Sequence, residues 1–220
     1  MKTLIAFITA AGMSLASGAY AATLHGAFYN TGGNQGGGSP LTNTMTLADT
    51  FLAGNPTPTA TFKSTGIDYG GPSPYILSDL GTFLGADAAS LSPASAASID
   101  MLGSVIVLTG TIRLGAGINN FEVFSDDGFS MLLNGVEVGR FEGLRGPGSS
   151  FFNVDAGFGG DVNMELRYFE GALTQAALRA ALNGKTITGL PTPVPIPAAG
   201  FLLISALGGL VAVKRRRKAA

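Results

Sequence analysis

Residues 121–140 read FEVFSDDGFSMLLNGVEVGR, and two turn signals in this stretch, Asp127-Gly128 and Asn134-Gly135, flank the run Phe129 to Leu133. That run alternates well enough to be a half-buried strand, and a turn on each side of it predicts antiparallel neighbours. The same stretch sets two carboxylates side by side, Asp126 and Asp127. In a regular strand they point to opposite faces, so they share one ligand only where the backbone between them is bent or the peptide is unusual.

Outward from this stretch the chain keeps the same grammar. Its 33 glycines and 11 prolines, many in short clusters, predict many turns between short strands and few long helices. Thr23 to Tyr29 reads as a first strand, followed by a surface loop from Gly32 to Pro40. Ala60 to Thr65 alternates like an edge strand behind Pro56 and Pro58. Leu80 to Ile99, rich in Ala and Ser, reads as a crossover in which Ser92-Pro93 caps a short helix with proline at its first position. Strands then resume at Ser104–Leu114, Asn120–Ser125, Phe129–Leu133, Val136–Phe141, Ser150–Val154 and Val162–Phe169. Leu173 to Leu182 reads either as a last strand or, from Gln175, as a helix. The expected fold is all-β: an antiparallel two-sheet β-sandwich, with one domain over residues 22–190 and no internal repeat.

The ends read as trafficking segments. Lys2, the apolar run Leu4 to Leu15 and the small-x-small pattern Ala19-Tyr20-Ala21 make residues 1–21 a secretory signal peptide, helical in its apolar run, with cleavage by signal peptidase between Ala21 and Ala22. Val194 to Val213 carries no charge, about the 20 residues that an α-helix needs to cross a hydrocarbon core. Lys214-Arg215-Arg216-Arg217-Lys218 then forms a basic cluster of the cytoplasmic kind. Residues 191–220 are accordingly expected to hold a proline motif, a single transmembrane helix and a basic tail.

Without its ends the chain is acidic. All fourteen Asp and Glu lie between Ala22 and Leu190, against seven Lys and Arg there, a net charge of −7. Such a surface repels phosphate backbones, which excludes nucleic acid and favours cations and neutral glycans as partners. With no cysteine, an exported domain stands without disulfides, on its core or on a bound metal. Thiolate zinc sites and cysteine nucleophiles are excluded, and His25, the only histidine, rules out imidazole clusters. No nucleophile elbow accompanies it, and nothing positive points to an enzyme.

The tail Val194-Pro195-Ile196-Pro197-Ala198-Ala199-Gly200, its apolar span and its basic end resemble the PEP-CTERM sorting segments, in the VPLPA variant, that exosortases process in Gram-negative bacteria making exopolysaccharide. Ile196 stands where that variant has Leu. The resemblance implies transient anchoring in the inner membrane, cleavage near Val194 to Ala198, and a final place at the cell surface or in the extracellular matrix.

The domain itself resembles the protective-antigen-type, fourteen-kilodalton lectin module. The resemblance rests on Leu24 to Tyr29, Thr61 to Tyr69, Val107 to Asp127 and Val162 to Phe169 in that order, and most densely on Ser125-Asp126-Asp127-Gly128 before Met131 to Val136. It implies a jelly-roll-like sandwich with ligands bound by loops at one end. It also implies that Asp126 and Asp127 are joined by a cis peptide and both reach one Ca²⁺, which receives sugar hydroxyls as well. By position, Glu170 stands where some members use an asparagine side chain, and Ala172 and Thr174 where they use backbone carbonyls.

The residues leave several readings open. Asp126-Asp127 is either this calcium site or a polar β-turn in which Asp127-Gly128 supplies the turn. Asp155 and Asp161 flank either an accessory calcium site or a solvated hairpin loop, Tyr168 and Phe169 serve the core or stack on a ligand, and Arg145 contacts a glycan or is merely solvated. Three functions stand against one another: a calcium-dependent protein binding exopolysaccharide, a structural surface or biofilm-matrix protein with neither metal nor sugar site, and a polysaccharide hydrolase, which needs only two suitably spaced carboxylates.

Overall fold

A computed structural model describes residues 24–32, 42–172 and 174–190. The expected signal peptide with Ala21 and Ala22, most of the loop from Gly32 to Pro40, and the expected sorting segment from Val194 to Lys218 lie outside the described residues. Among the described residues, no helix is long and apolar enough to cross a membrane.

Among the described residues, eleven strands alternate with a few short helical turns: β1 Leu24–Asn30, β2 Ala60–Ser64, β3 Asp68–Tyr69, β4 Ser104–Leu114, β5 Ile118–Asp126, β6 Phe129–Leu133, β7 Val136–Phe141, β8 Gly148–Asp155, β9 Gly160–Glu170, β10 Ala177–Leu182 and β11 Lys185–Thr186. Six of them form one sheet in the order β2-β1-β4-β9-β6-β7, and the other has the order β11-β10-β5-β8, with β3 beside β10. Every pairing is antiparallel. The expected all-β sandwich is thus the fold, with β2 at a sheet edge as its prolines suggested. Asn134-Gly135 makes the tight β6–β7 turn, with both residues at positive φ (48° and 79°), the two-residue arrangement that such a hairpin requires.

The inner faces of the two sheets share one core. Leu24, Phe28 and Ile106 from the first sheet, and Phe121, Val123 and Leu178 from the second, are fully or almost fully buried. Phe152 of β8 stacks on Phe121 at 5.4 Å between ring centroids and lies 6.4 Å from Phe129, so aromatic contact joins the sheets close to the Asp pair. Burying a side chain of this size contributes roughly 1.5–3 kcal/mol.

Two local readings change and one open alternative is settled. Residues 45–54 form a helix, α1 (Met45–Gly54), that the sequence reading passed over. Thr44 caps it by accepting from the Leu47 N–H, and Met45 and Ala48 pack on Val105 and Phe169, on the outer face of the six-stranded sheet. Ser92-Pro93 does not cap a helix in the expected way. Both main-chain groups of Ser92 are taken by a bridge to Thr61, and Pro93 stands before the 3₁₀ turn Ala94–Ser98, not inside it. The ambiguous stretch ends in a strand: pairing of Ala177 to Leu182 with β5 outweighs the helix propensity of its alanines and leucines.

Candidate metal centre

The β5–β6 connection is short because β5 ends at Asp126 and β6 begins at Phe129. Packing closes on this turn from three sides. A side-chain carbon added at Gly128 would run into the Phe169 ring and the Phe141 carbonyl, and one at Gly171 into the Thr42 carbonyl, so only glycine admits these approaches. The Asp126–Asp127 peptide is cis, and the two side chains that a regular strand would separate lie together. Glu170, the last residue of β9, completes the group: one carboxylate oxygen from each of Asp126, Asp127 and Glu170 lies within 4.8 Å of the others. All three are buried, with 3%, 0% and 0% of their surface exposed.

The carboxylates differ in what holds them. Asp127 is cradled by main chain: Oδ1 accepts from the Arg145 N–H at 2.9 Å, and Oδ2 from the Gly171 and Ala172 N–H groups at 2.9 and 3.0 Å. The Ser125 hydroxyl donates to its carbonyl at 2.5 Å. Glu170 accepts from the Ala172 N–H at 3.1 Å and from the Tyr168 hydroxyl at 2.8 Å, a hydroxyl that also faces the Asp126 carbonyl. Asp126 is different, since its Oδ2 is buried and has no hydrogen-bond partner among the described residues. A buried oxygen left bare calls for an explanation, because an unsatisfied polar group costs about 1–3 kcal/mol and an unpaired charge more.

Charge sharpens the point. Burial, then the neighbouring Asp127 charge, pushes the Asp126 carboxyl up to about 7, against the opposing pull of Arg145. Burial also raises Asp127, against the backbone N–H groups that favour its charged form. Glu170 is held well above the carboxylate range by burial and then by Asp127. Three such groups cannot all ionise unaided, so they hold protons or a cation. The donors are all hard oxygens, with no sulfur or imidazole, and one is unspoken for. This set fits Ca²⁺, which takes oxygen ligands in loose geometry.

The remaining expectations sort themselves by geometry. Ala172 turns its N–H toward the carboxylates. Thr174 is exposed, and its carbonyl accepts from the Leu77 N–H at 2.8 Å. Asp161 is spent on Arg113 at 2.7 Å, and Asp155 Oδ1 accepts from the Gly157 N–H at 2.9 Å, which is a hairpin-loop arrangement. Tyr168 and Phe169 are buried in the core, although the Tyr168 hydroxyl serves the site as well. Arg145, for which the sequence leaves a glycan contact or plain solvation open, and Ser125, quoted only as part of the motif, both bond directly to the Asp pair or its main chain. The sole sequence sign was that Ser125 adjoins the pair.

No protein-family model matches this sequence, and no curated protein does. Among solved structures the chain is similar to the PA14 sugar-binding domain from an RTX adhesin, at 29% identity and a TM-score of 0.58 over 76% of this chain and 94% of that one. It is also similar to the PA14 domain of the MpAFP antifreeze protein, at 24% identity and a TM-score of 0.55 over 77% and 87%. A more distant likeness, at 12% identity and a TM-score of 0.50 over 78% and 85%, is to the A domain of epithelial adhesin 9 from Candida glabrata, in complex with Galβ1-4GlcNAc. Two of these structural neighbours are therefore PA14 domains, the protective-antigen-type module that this sequence resembles, and the shared architecture is a lectin-like β-sandwich.

Proposed function

We propose that this is an exported carbohydrate-binding protein of the cell surface or extracellular matrix, whose sugar site is built on a Ca²⁺ held by Asp126, Asp127 and Glu170. The observation that carries the reading is the bare, buried Oδ2 of Asp126 within a cluster of three carboxylates. Similarity to a sugar-binding PA14 domain at 29% identity supports the choice of sugar as ligand. The signal peptide, the acidic domain and the sorting-type tail support export and an exopolysaccharide partner. The function is binding, without turnover.

Each residue has a part. Asp127 is fixed by three N–H donors and supplies a rigid carboxylate, Glu170 is oriented by Tyr168 and Ala172, and Asp126 offers the oxygen that no protein group satisfies. A bound Ca²⁺ supplies the charge that lets all three ionise, and open coordination positions that neighbouring sugar hydroxyls can fill. The carbonyls of Ala172 and Thr174 complete the ligand set in this proposal, Thr174 sharing its carbonyl with the Leu77 N–H through a second lone pair.

The test is thermal unfolding of the purified full-length chain with Ca²⁺ and with a chelator, paired with glycan binding under both conditions. Calcium is expected to raise the unfolding temperature and to be required for glycan capture. No shift at millimolar calcium sinks the metal reading, and glycan capture that survives chelation sinks the link between metal and sugar.

A further inference from the structure

We infer that Arg145 is the positioning residue of the Asp126–Asp127 site, an inference that rests on the reading that this site binds a cation. Arg145 lies in the loop between β7 and β8 and reaches the Asp pair by two routes, one direct and one through Ser125. Its main-chain N–H donates to Asp127 Oδ1 at 2.9 Å. Its guanidinium lies over the Phe141 ring, 4.2 Å from the centroid, and spreads its donors over Ser125 O at 3.1 Å, Ser125 Oγ at 2.7 Å and Ser150 Oγ at 3.0 Å. The Ser125 hydroxyl that accepts from Arg145 donates in turn to the Asp127 carbonyl at 2.5 Å.

These bonds close a ring: Arg145 N–H to the Asp127 carboxylate, the Asp127 carbonyl to the Ser125 hydroxyl, and the Ser125 hydroxyl back to the Arg145 guanidinium. The ring fixes both the main chain and the carboxylate of Asp127 from one residue outside the turn. The fork is spent on neutral oxygens. Among the described residues, no ion pair joins the Arg145 guanidinium to a carboxylate, so its fork orders the Asp pair without taking a carboxylate oxygen, and only its main-chain N–H bonds one, Asp127 Oδ1. A planar guanidinium can stack on Phe141 and bond three acceptors at once, whereas an ammonium on a flexible stem cannot.

Calcium titration of the full-length chain tests this, comparing wild type, Arg145→Lys, Ser125→Ala and the double variant. Removing a partner that orients a metal ligand weakens metal binding about 10- to 100-fold, so Arg145→Lys and Ser125→Ala are each expected to raise Kd by about tenfold or more at unchanged stoichiometry. A merely structural role would lower the number of competent molecules and leave Kd alone. Because the two residues act through one ring, the double variant is expected to bind no more than about twofold more weakly than the poorer single variant. Wild-type affinity in Arg145→Lys, or losses that multiply in the double variant, overturns the assignment while leaving calcium binding intact. Absence of calcium binding by the wild type overturns both. If Arg145→Lys fails to fold, Ser125→Ala decides alone, and a Kd within about twofold of wild type overturns the inference.

Discussion

Two clusters of acidic residues sit on this sandwich, and they treat their charge in opposite ways. On the outer face of the six-stranded sheet, Asp49 of α1 bridges Arg167 at 2.8 Å and Arg140 at 3.2 Å. Arg140 also takes Glu137 and Glu142, and Arg167 takes Glu165, so every carboxylate there has a guanidinium beside it. At the β5–β6 turn, Asp126, Asp127 and Glu170 are more deeply buried, yet among the described residues none has an ion-pair partner and one oxygen has no partner at all. The outer cluster is neutralised by the protein and fastens a helix to a sheet. The inner one has only the more distant pull of Arg145 against its charge, which marks it as the candidate cation site and the outer one as a brace.

The difference is most severely strained at Asp127. Asp127→Ala removes the acceptor of the Arg145 and Gly171 N–H groups and one of the two that Ala172 uses. Leaving such buried donors unsatisfied is expected to destabilise the domain by about 3–5 kcal/mol even with chelator present. The midpoint of urea unfolding should fall without a change in slope. An unchanged midpoint would mean that the cradle contributes nothing.

Asp126→Asn separates binding from folding. Asp126 offers the bare oxygen, so its loss is expected to abolish calcium stabilisation, worth about 2.7 kcal/mol when calcium stands at 100 times Kd, without lowering stability in chelator. Calorimetric unfolding of both proteins, with and without calcium, reads the two effects separately. A variant that keeps the calcium shift would place the metal elsewhere.

Acidity gives a smaller effect with a definite sign. Burial and Asp127 raise Asp126 from 3.8 to about 7, so in chelator the stability it contributes is present at low pH and is lost as pH rises through about 7. Asp127 and Glu170 are shifted the same way. Calcium requires the charged forms, so its contribution runs oppositely and grows as pH rises. Calcium affinity is expected to fall about tenfold for each pH unit below about 7 if one proton is displaced, a loss of about 1.4 kcal/mol per unit. Titrations at several pH values check this, and an affinity flat across that window contradicts it.

Much of the fold was legible in the sequence, and the illegible part has a physical pattern. Phe129–Leu133, Val136–Phe141 and Ser104–Leu114 were read with their observed boundaries, because alternation and Asn-Gly turns are local signals. Asp126, Asp127 and Glu170 were grouped only through resemblance, since contact between residues 44 positions apart leaves no local trace. The bonds of Arg145 are illegible for the same reason: loop composition around it leaves both solvation and ligand contact open, while Phe141 and Ser125, brought in by the sheets, set it beside the Asp pair. Helix α1 was passed over because ten residues packed on a sheet owe little to intrinsic helix propensity, and only Thr44 marked its start.

The outer cluster supplies the smallest effect and the control. Asp49 is part-exposed and shared between two arginines, so screening by solvent limits what each pair contributes. Asp49→Asn is expected to lower stability by about 1 kcal/mol or less and to leave the calcium shift untouched. Urea unfolding in chelator reads the first and the calcium-induced shift the second. Pairing makes this asymmetry necessary: an acid whose charge is already met by Arg140 and Arg167 has none left for a cation, so removing it loosens α1 without reaching the site. If Asp49→Asn instead weakened calcium binding as Asp126→Asn does, the two clusters would be one electrostatic unit, and the distinction between brace and site would fail.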